Sequence, residues 1–85
     1  MNTQFLLLAQ YNGKINIPIT EIAKEYFDYS PSLAKRKAAH QQYPFPVFKV
    51  GSQKSEWLVD IVELARFLDE QKAKSKQDWE KMQLN

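Results

Sequence analysis

The chain has 85 residues, enough for one domain with a thin core but too few for a roomy, enclosed active site. The aromatic share of 13% argues against disorder, and the absence of cysteine excludes disulfide bonds and thiolate metal sites. The net charge is +2, but residues 31–59 alone carry +4, with five basic side chains against one acidic side chain. Such a concentrated basic patch indicates a polyanionic partner.

Residue types that support catalysis are scarce. His40 is the only histidine and has no serine or cysteine partner at a motif spacing, and two glycines are too few for a phosphate-binding loop. No segment is apolar for long enough to cross a membrane, and no secretory leader pattern is visible. We therefore expect a bacterial cytoplasmic protein that is not an enzyme, has no metal or small-molecule cofactor and does not bind membranes.

The segment before residue 20 allows two interpretations. In the first, residues 5–11 and 14–19 form a β-hairpin around Asn12 and Gly13, because these residues tolerate the positive φ angles of a type I′ turn. In the second, Thr3 caps a short helix that Gly13 ends. The hairpin is favoured because three isoleucines alternate along the second segment, as on one face of a strand: Ile15, Ile17 and Ile19.

Two short helices joined by a tight turn are predicted next. Thr20 is the expected N-cap of the first helix, which covers Glu21–Phe27. Ser30 is the expected N-cap of the second, and Pro31 suits its first position, where no amide hydrogen is needed. The second helix is predicted to end near Gln42. This order is typical of a helix-turn-helix.

A basic strand–loop–strand segment follows. Residues 47–50 and 57–59 have strand character, and the polar loop Gly51–Glu56 connects them. The last helix is predicted to begin at Asp60, which can form a capping box with Glu63. The sequence therefore predicts a small α+β winged helix-turn-helix domain over residues 1–85, with an N-terminal hairpin or short helix and a long C-terminal helix.

The end of the last helix, residues 70–85, is a polar extension with two isolated apolar side chains. Trp79 and Met82 have little reason to face water there, so we expect this extension to support a homodimer. Trp57, Tyr43 and Phe45 are instead expected to pack inside the fold rather than to stack on bases.

The predicted binding site combines the second helix with the loop, the wing of such a domain. Fixed cations can hold phosphates, and polar side chains on a protruding helix can contact base edges. Arg36 is the best candidate for bidentate contact with guanine, because its planar fork matches two acceptors. The expected partner is double-stranded DNA, and the candidate residues are Ser30, Ser32, Lys35, Arg36, Lys37, His40, Lys49, Ser52, Gln53 and Lys54.

Several short motifs occur along the chain in an order and at spacings that can be compared with a known family. They are Asn2-Thr3, Phe5-Leu6-Leu7, Tyr11-Asn12-Gly13, Ile17-Pro18, Tyr26-Phe27 and Ser52-Gln53-Lys54. Together they resemble the pyocin activator protein PrtN family over nearly the whole chain. The resemblance implies a small bacterial or prophage-borne transcriptional activator of phage-tail-like bacteriocin or phage genes, akin to excisionase-like and MerR-like winged helix-turn-helix domains.

Two other functions fit the same sequence. An excisionase-like protein would use this fold to bend DNA during recombination. A protein-interaction module or inhibitor would instead carry its partner site on Tyr43–Phe48 and show no salt-dependent affinity for DNA.

Overall fold

Helices and a two-stranded antiparallel sheet make up the described part of the chain, residues 2–51 and 55–84 of the computed structural model. The architecture is that of a small α+β domain. The elements are α1 (Thr3–Gln10), β1 (Asn16–Pro18), α2 (Ile19–Ile22) with a π-helical turn over Ala23–Phe27, α3 (Pro31–Ala39), β2 (Leu58–Asp60) and α4 (Ile61–Gln83).

The N-terminal segment is a helix, so the predicted hairpin is wrong. Asn2, not Thr3, caps α1, because the Asn2 side chain accepts a hydrogen bond from the amide two residues on. Asn12 and Gly13 do adopt positive φ angles, of 57° and 79°. However, the Gly13 amide donates to the Leu8 carbonyl over 2.6 Å, which is the Schellman pattern that ends a helix. The preference of Asn12 and Gly13 for positive φ angles therefore ends a helix here instead of forming a hairpin turn.

The sheet joins the segment after α1 to a strand about forty residues later. In the antiparallel pairing of β1 with β2, Ile17 lies opposite Val59, and both side chains are fully buried. Leu58 also pairs with Phe48, through backbone hydrogen bonds of 2.9 and 2.7 Å. The predicted strand over residues 47–50 is thus reduced to one bridging residue, and the second predicted strand is shifted by one residue to Leu58–Asp60.

The start of α2 is set by the sheet rather than by a side-chain cap. The helix begins at Ile19 directly after Pro18, and no side chain accepts a capping bond there, so the predicted cap at Thr20 is wrong. The Ile19 amide instead donates to the Trp57 carbonyl over 2.8 Å. The hydrogen bond of the β-ladder thus satisfies an amide that would otherwise need a cap.

The turn between the two central helices is short and tightly defined. Asp28 ends the π-helical turn with a left-handed φ of 56°. Two residues later the Ser30 hydroxyl accepts a hydrogen bond from the Leu33 amide over 3.3 Å, and Pro31 occupies the first turn of α3. The predicted cap and first position of α3 are confirmed.

The helix α3 ends at Ala39, earlier than the predicted Gln42. Gln41 adopts a left-handed φ of 51°, and its amide donates to the Ala38 carbonyl over 3.0 Å. The Gln42 amide donates to the Lys37 carbonyl over 2.9 Å. These two bonds form a Schellman motif, which stops the helix without glycine.

The first turns of α4 close the core. Asp60 caps the helix by accepting from the Val62 amide over 2.9 Å, whereas Glu63 pairs with Arg66 at 3.0 Å instead of returning a capping-box bond. None of the helices in the described ranges combines the length and apolar character needed to cross a membrane. The core contains Leu7, Ile17, Ile19, Ile22, Ala23, Ala34, Ala38, Tyr43, Phe45, Val47, Val59, Ile61, Leu64 and Ala65.

Candidate nucleic-acid interface

The helix α3 has one buried face and one exposed polar face. Ala34 and Ala38, four residues apart, are fully buried, and their small side chains let the helix lie close to the core. No acidic residue occurs within α3, so its exposed surface is cationic and polar. The outward residues are Ser32, Lys35, Arg36, Ala39 and His40, and all of them except Ala39 are among the candidate binding residues.

An aromatic cluster packs against the buried side of α3. The Tyr43 hydroxyl donates a buried hydrogen bond to the Ala34 carbonyl over 3.0 Å. The Tyr43 ring stacks on Phe45 at 5.7 Å between centroids, and Phe45 meets Phe67 of α4 edge-on at 5.5 Å. Such ring pairs add to the burial energy. They connect the exposed helix to the longest helix of the domain.

The segment after α3 is structural, as expected for Tyr43 and Phe45. Tyr43, Phe45 and Val47 are exposed by only 9%, 6% and 4%. Burial, followed by the neighbouring Tyr29, raises the pKa of the Tyr43 phenol. A partner site on Tyr43–Phe48 would therefore lack its apolar anchors, because these side chains already belong to the core.

Lys37 lies apart from the other cations of α3. Its Nζ sits 5.4 Å from the centroid of the Tyr29 ring, within the range of a cation–π contact. Its side chain is half-buried, whereas Lys35 and Arg36 are exposed. Of the predicted cations on this helix, the structure therefore places Lys37 on the flank and the other two on the outer face.

The basic arm, residues 47–50, follows α3 and lies opposite a tryptophan. The Phe48–Leu58 pairing puts Lys49 across from Trp57, and the Lys49 Nζ lies 4.9 Å from the centroid of a Trp57 ring. The Ser55 hydroxyl donates to the Val50 carbonyl over 2.7 Å and so closes the base of the loop. The predicted loop-tip residues Ser52, Gln53 and Lys54 lie outside the described residues.

A cleft of about 420 Å³ joins α3 to this arm. Lys35 and Lys49 both line it, so two predicted cations 14 positions apart in sequence share one concave surface. Glu56 also lines the cleft and is an acidic side chain among these cations. The full lining is Ile19, Thr20, Pro31, Lys35, Lys49, Ser55, Glu56 and Trp57.

Two features of the site were missed by the sequence analysis, the lining of the cleft by Thr20 and Glu56 and the contact of Lys49 with Trp57. Thr20 and Glu56 line the cleft only because the sheet brings the start of α2 beside the loop. The contact of Lys49 with Trp57 had a usable signal, since strands paired around residues 51–56 place these two residues opposite each other. The Ser30 hydroxyl is engaged as the cap of α3.

The arrangement offers cations and hydrogen-bond donors but no constellation for metal chemistry. Among the described residues, no group of three or more histidine, aspartate or glutamate side chains could hold a metal ion.

The comparison with curated proteins found no match, and neither did the comparison with solved structures. The family model described as pyocin activator protein PrtN matches residues 3–75, so the chain belongs to this family of regulatory proteins.

Proposed function

We propose that the protein binds double-stranded DNA in a sequence-specific manner and activates transcription of prophage or phage-tail-like bacteriocin genes. In this proposal the domain is a winged helix-turn-helix, α3 enters the major groove, and Lys49 belongs to the wing. The main support for the proposal is the cleft that Lys35 and Lys49 share, because it joins α3 and the basic arm in one cationic surface.

The two cations at the cleft suit the DNA backbone. A phosphate next to the groove that α3 occupies would meet Lys35 from the helix and Lys49 from the arm. The stack of Lys49 on Trp57 restrains its long side chain before binding, which reduces the entropy lost on contact. These contacts set the position of the protein on DNA and contribute affinity that does not depend on sequence.

The outer face of α3 supplies the groups that distinguish bases. Arg36 projects from its exposed surface, and its guanidinium can donate two hydrogen bonds to guanine O6 and N7. Ser32, one turn earlier, and His40, one turn later, lie beside it on the exposed face. The aromatic cluster under α3 keeps this face in a fixed orientation.

Selection from a random-sequence DNA library, followed by anisotropy titration of the selected site, tests the proposal. The wild-type protein should select one motif and bind it more tightly than a scrambled duplex, with affinity falling steeply as salt rises. Arg36→Ala should weaken the selected site by about 1–3 kcal/mol and relax the preference at one base pair.

Arg66→Ala is the matched control, because it removes the other arginine of the chain from an exposed position on α4. Its ion pair with Glu63 is exposed, so the stability cost should be small. Equal losses for the two variants would contradict the role of Arg36, and failure to select any motif would contradict sequence-specific binding. A reporter driven by a promoter carrying the selected site should rise when the wild-type protein is expressed, and an unchanged or lowered signal would contradict activation.

A further inference from the structure

The second half of α4 projects from the domain without contacts that would bury it. Every described residue from Asp69 to Leu84 is exposed, including Trp79 at 60% and Met82 at 73%. The molecule therefore measures 53 Å along its longest axis and only 17 Å along its shortest. A helix segment of this length is marginal alone in water, and most helical stability in proteins comes from packing.

The projecting half continues the same face that α4 buries in its own domain. Trp79 follows Ile61 by five helical turns, so it points to the side of the helix that faces the core. Seven-residue steps connect Leu68, Ser75 and Met82, and the same steps connect Ala65, Lys72 and Trp79. This is the a/d spacing of a two-stranded coiled coil.

The a/d positions from Leu68 to Trp79 form a stripe along α4. We propose that a second copy of this chain covers this stripe, with the two α4 helices antiparallel. Trp79 of each copy then packs against Leu68 of the other, at the point where α4 leaves the partner domain. Lys72 lies opposite Ser75 at the centre. Ala65 is already buried in its own domain, so the overlap runs from Leu68 to Trp79 and is about 17 Å long.

The charges beside the stripe favour this orientation. In the antiparallel pair, Asp69 of each copy lies beside Lys76 of the other, which gives two opposite-charge pairs per dimer. In a parallel pair, Lys72 would face Lys72 across the axis. An antiparallel register shifted by one heptad would place Lys76 against Lys76 and Asp78 against Asp78.

The family match ends at residue 75, so it includes Leu68, Lys72 and Ser75 of this surface but not Trp79. The polar pair of Lys72 and Ser75 at the centre makes the contact modest, so we expect a concentration-dependent dimer. Two domains held on adjacent DNA half-sites would form it at lower concentration.

Sedimentation equilibrium of the isolated protein tests the contact without DNA. The apparent mass should rise from 10.0 kDa toward twice that value with increasing concentration. Trp79→Ala should raise the dimer dissociation constant at least about 100-fold, because it removes both Trp79–Leu68 contacts of the dimer. Ile15→Ala is the control, since Ile15 is 63% exposed and its carbonyl accepts from the Ile61 amide at the opposite end of α4, so the constant should be unchanged.

A charge exchange tests the register. Asp69→Lys and Lys76→Asp should each weaken dimerisation about tenfold, because each turns both attractive pairs into repulsive ones. An equimolar mixture of the two variants should associate again, since all four residues then meet an opposite charge. Thr3→Ala controls for the hydrogen bond that Thr3 donates to Asp69 over 2.6 Å.

Three results would overturn the proposal. A mass of 10.0 kDa at every concentration would exclude the dimer. Equal dissociation constants for wild type and Trp79→Ala would exclude the tail as its interface. A mixture of the charge variants that associates no better than either variant alone would exclude the antiparallel register.

Discussion

The Tyr43 hydroxyl donates a hydrogen bond to the carbonyl of Ala34 in the middle of α3, over 3.0 Å and away from solvent. The bond connects the exposed helix to the aromatic cluster that also includes Phe27, Phe45 and Phe67. The orientation of the proposed reading helix therefore depends on a residue that makes no part of its exposed face.

Tyr43→Phe should lower the free energy of unfolding by about 1 kcal/mol, because it removes this buried bond and keeps the ring. Urea denaturation measures the loss. Tyr29→Phe is the matched control, since it removes a hydroxyl from the same cluster and preserves the ring under Lys37. An unfolding free energy equal to that of wild type would show that this hydrogen bond contributes no net stability.

Asp28 controls the turn between the two central helices through its backbone. Its φ of 56° is strained for most side chains, although aspartate and glycine tolerate it. Asp28→Val should destabilise the fold by about 1–2 kcal/mol, because a β-branched side chain fits the left-handed region poorly. Asp28→Gly should stay close to wild type. Thermal unfolding of both variants checks this, and equal melting temperatures would contradict it.

The parts of the fold that local chemistry determines could be predicted from the sequence. Ser30 with Pro31 and Asp60 with the turn after it were correctly placed, because a cap needs only amides within three residues. The exposed face of α3 followed from helical spacing alone. The inward packing of Tyr43 and Phe45 followed from their aromatic character.

The errors arose where a distant partner decides between local alternatives. Asn12-Gly13 suits a hairpin and a helix end equally, and β1 pairs with β2 rather than with the preceding segment. Thr20 would suit a cap, but the sheet bond of Ile19 starts the helix two residues earlier than predicted, at Ile19 itself. The cleft of Lys35 and Lys49 depends on the same long-range pairing. The sequence could therefore predict two basic elements, but it could not predict that Lys35 and Lys49 line one cleft.

The phenol of Tyr11 should make the fold less stable in alkali. Burial, followed by the neighbouring Tyr26 and Glu25, raises its pKa from 10.0 to about 12. A raised pKa means that the folded state favours the neutral phenol, so this stabilisation is complete below pH 10 and is lost between pH 10 and 12.

Tyr11→Phe should therefore reduce the alkaline loss of stability, because phenylalanine has no proton to release. Urea unfolding at about pH 8 and about pH 11 gives the two free energies for each protein, and their difference should be smaller in the variant. The same difference in both proteins would mean that Tyr11 titrates alike in the folded and unfolded chains.

Lys35 and Lys49 should act on the same phosphate if their common cleft is the backbone contact of the DNA complex. Either lysine could then hold the phosphate alone, so Lys35→Ala and Lys49→Ala should each change the salt dependence only slightly. The double variant should lower the slope of log affinity against log salt by about 1, the value for one phosphate. Lys81→Ala, at an exposed position near the end of α4, is the control for the loss of a positive charge. Anisotropy titrations over a range of salt give the slope for the wild-type protein and for each of the four variants. A decrease of about 2 in the double variant, with about 1 from each single change, would instead assign the lysines to separate phosphates.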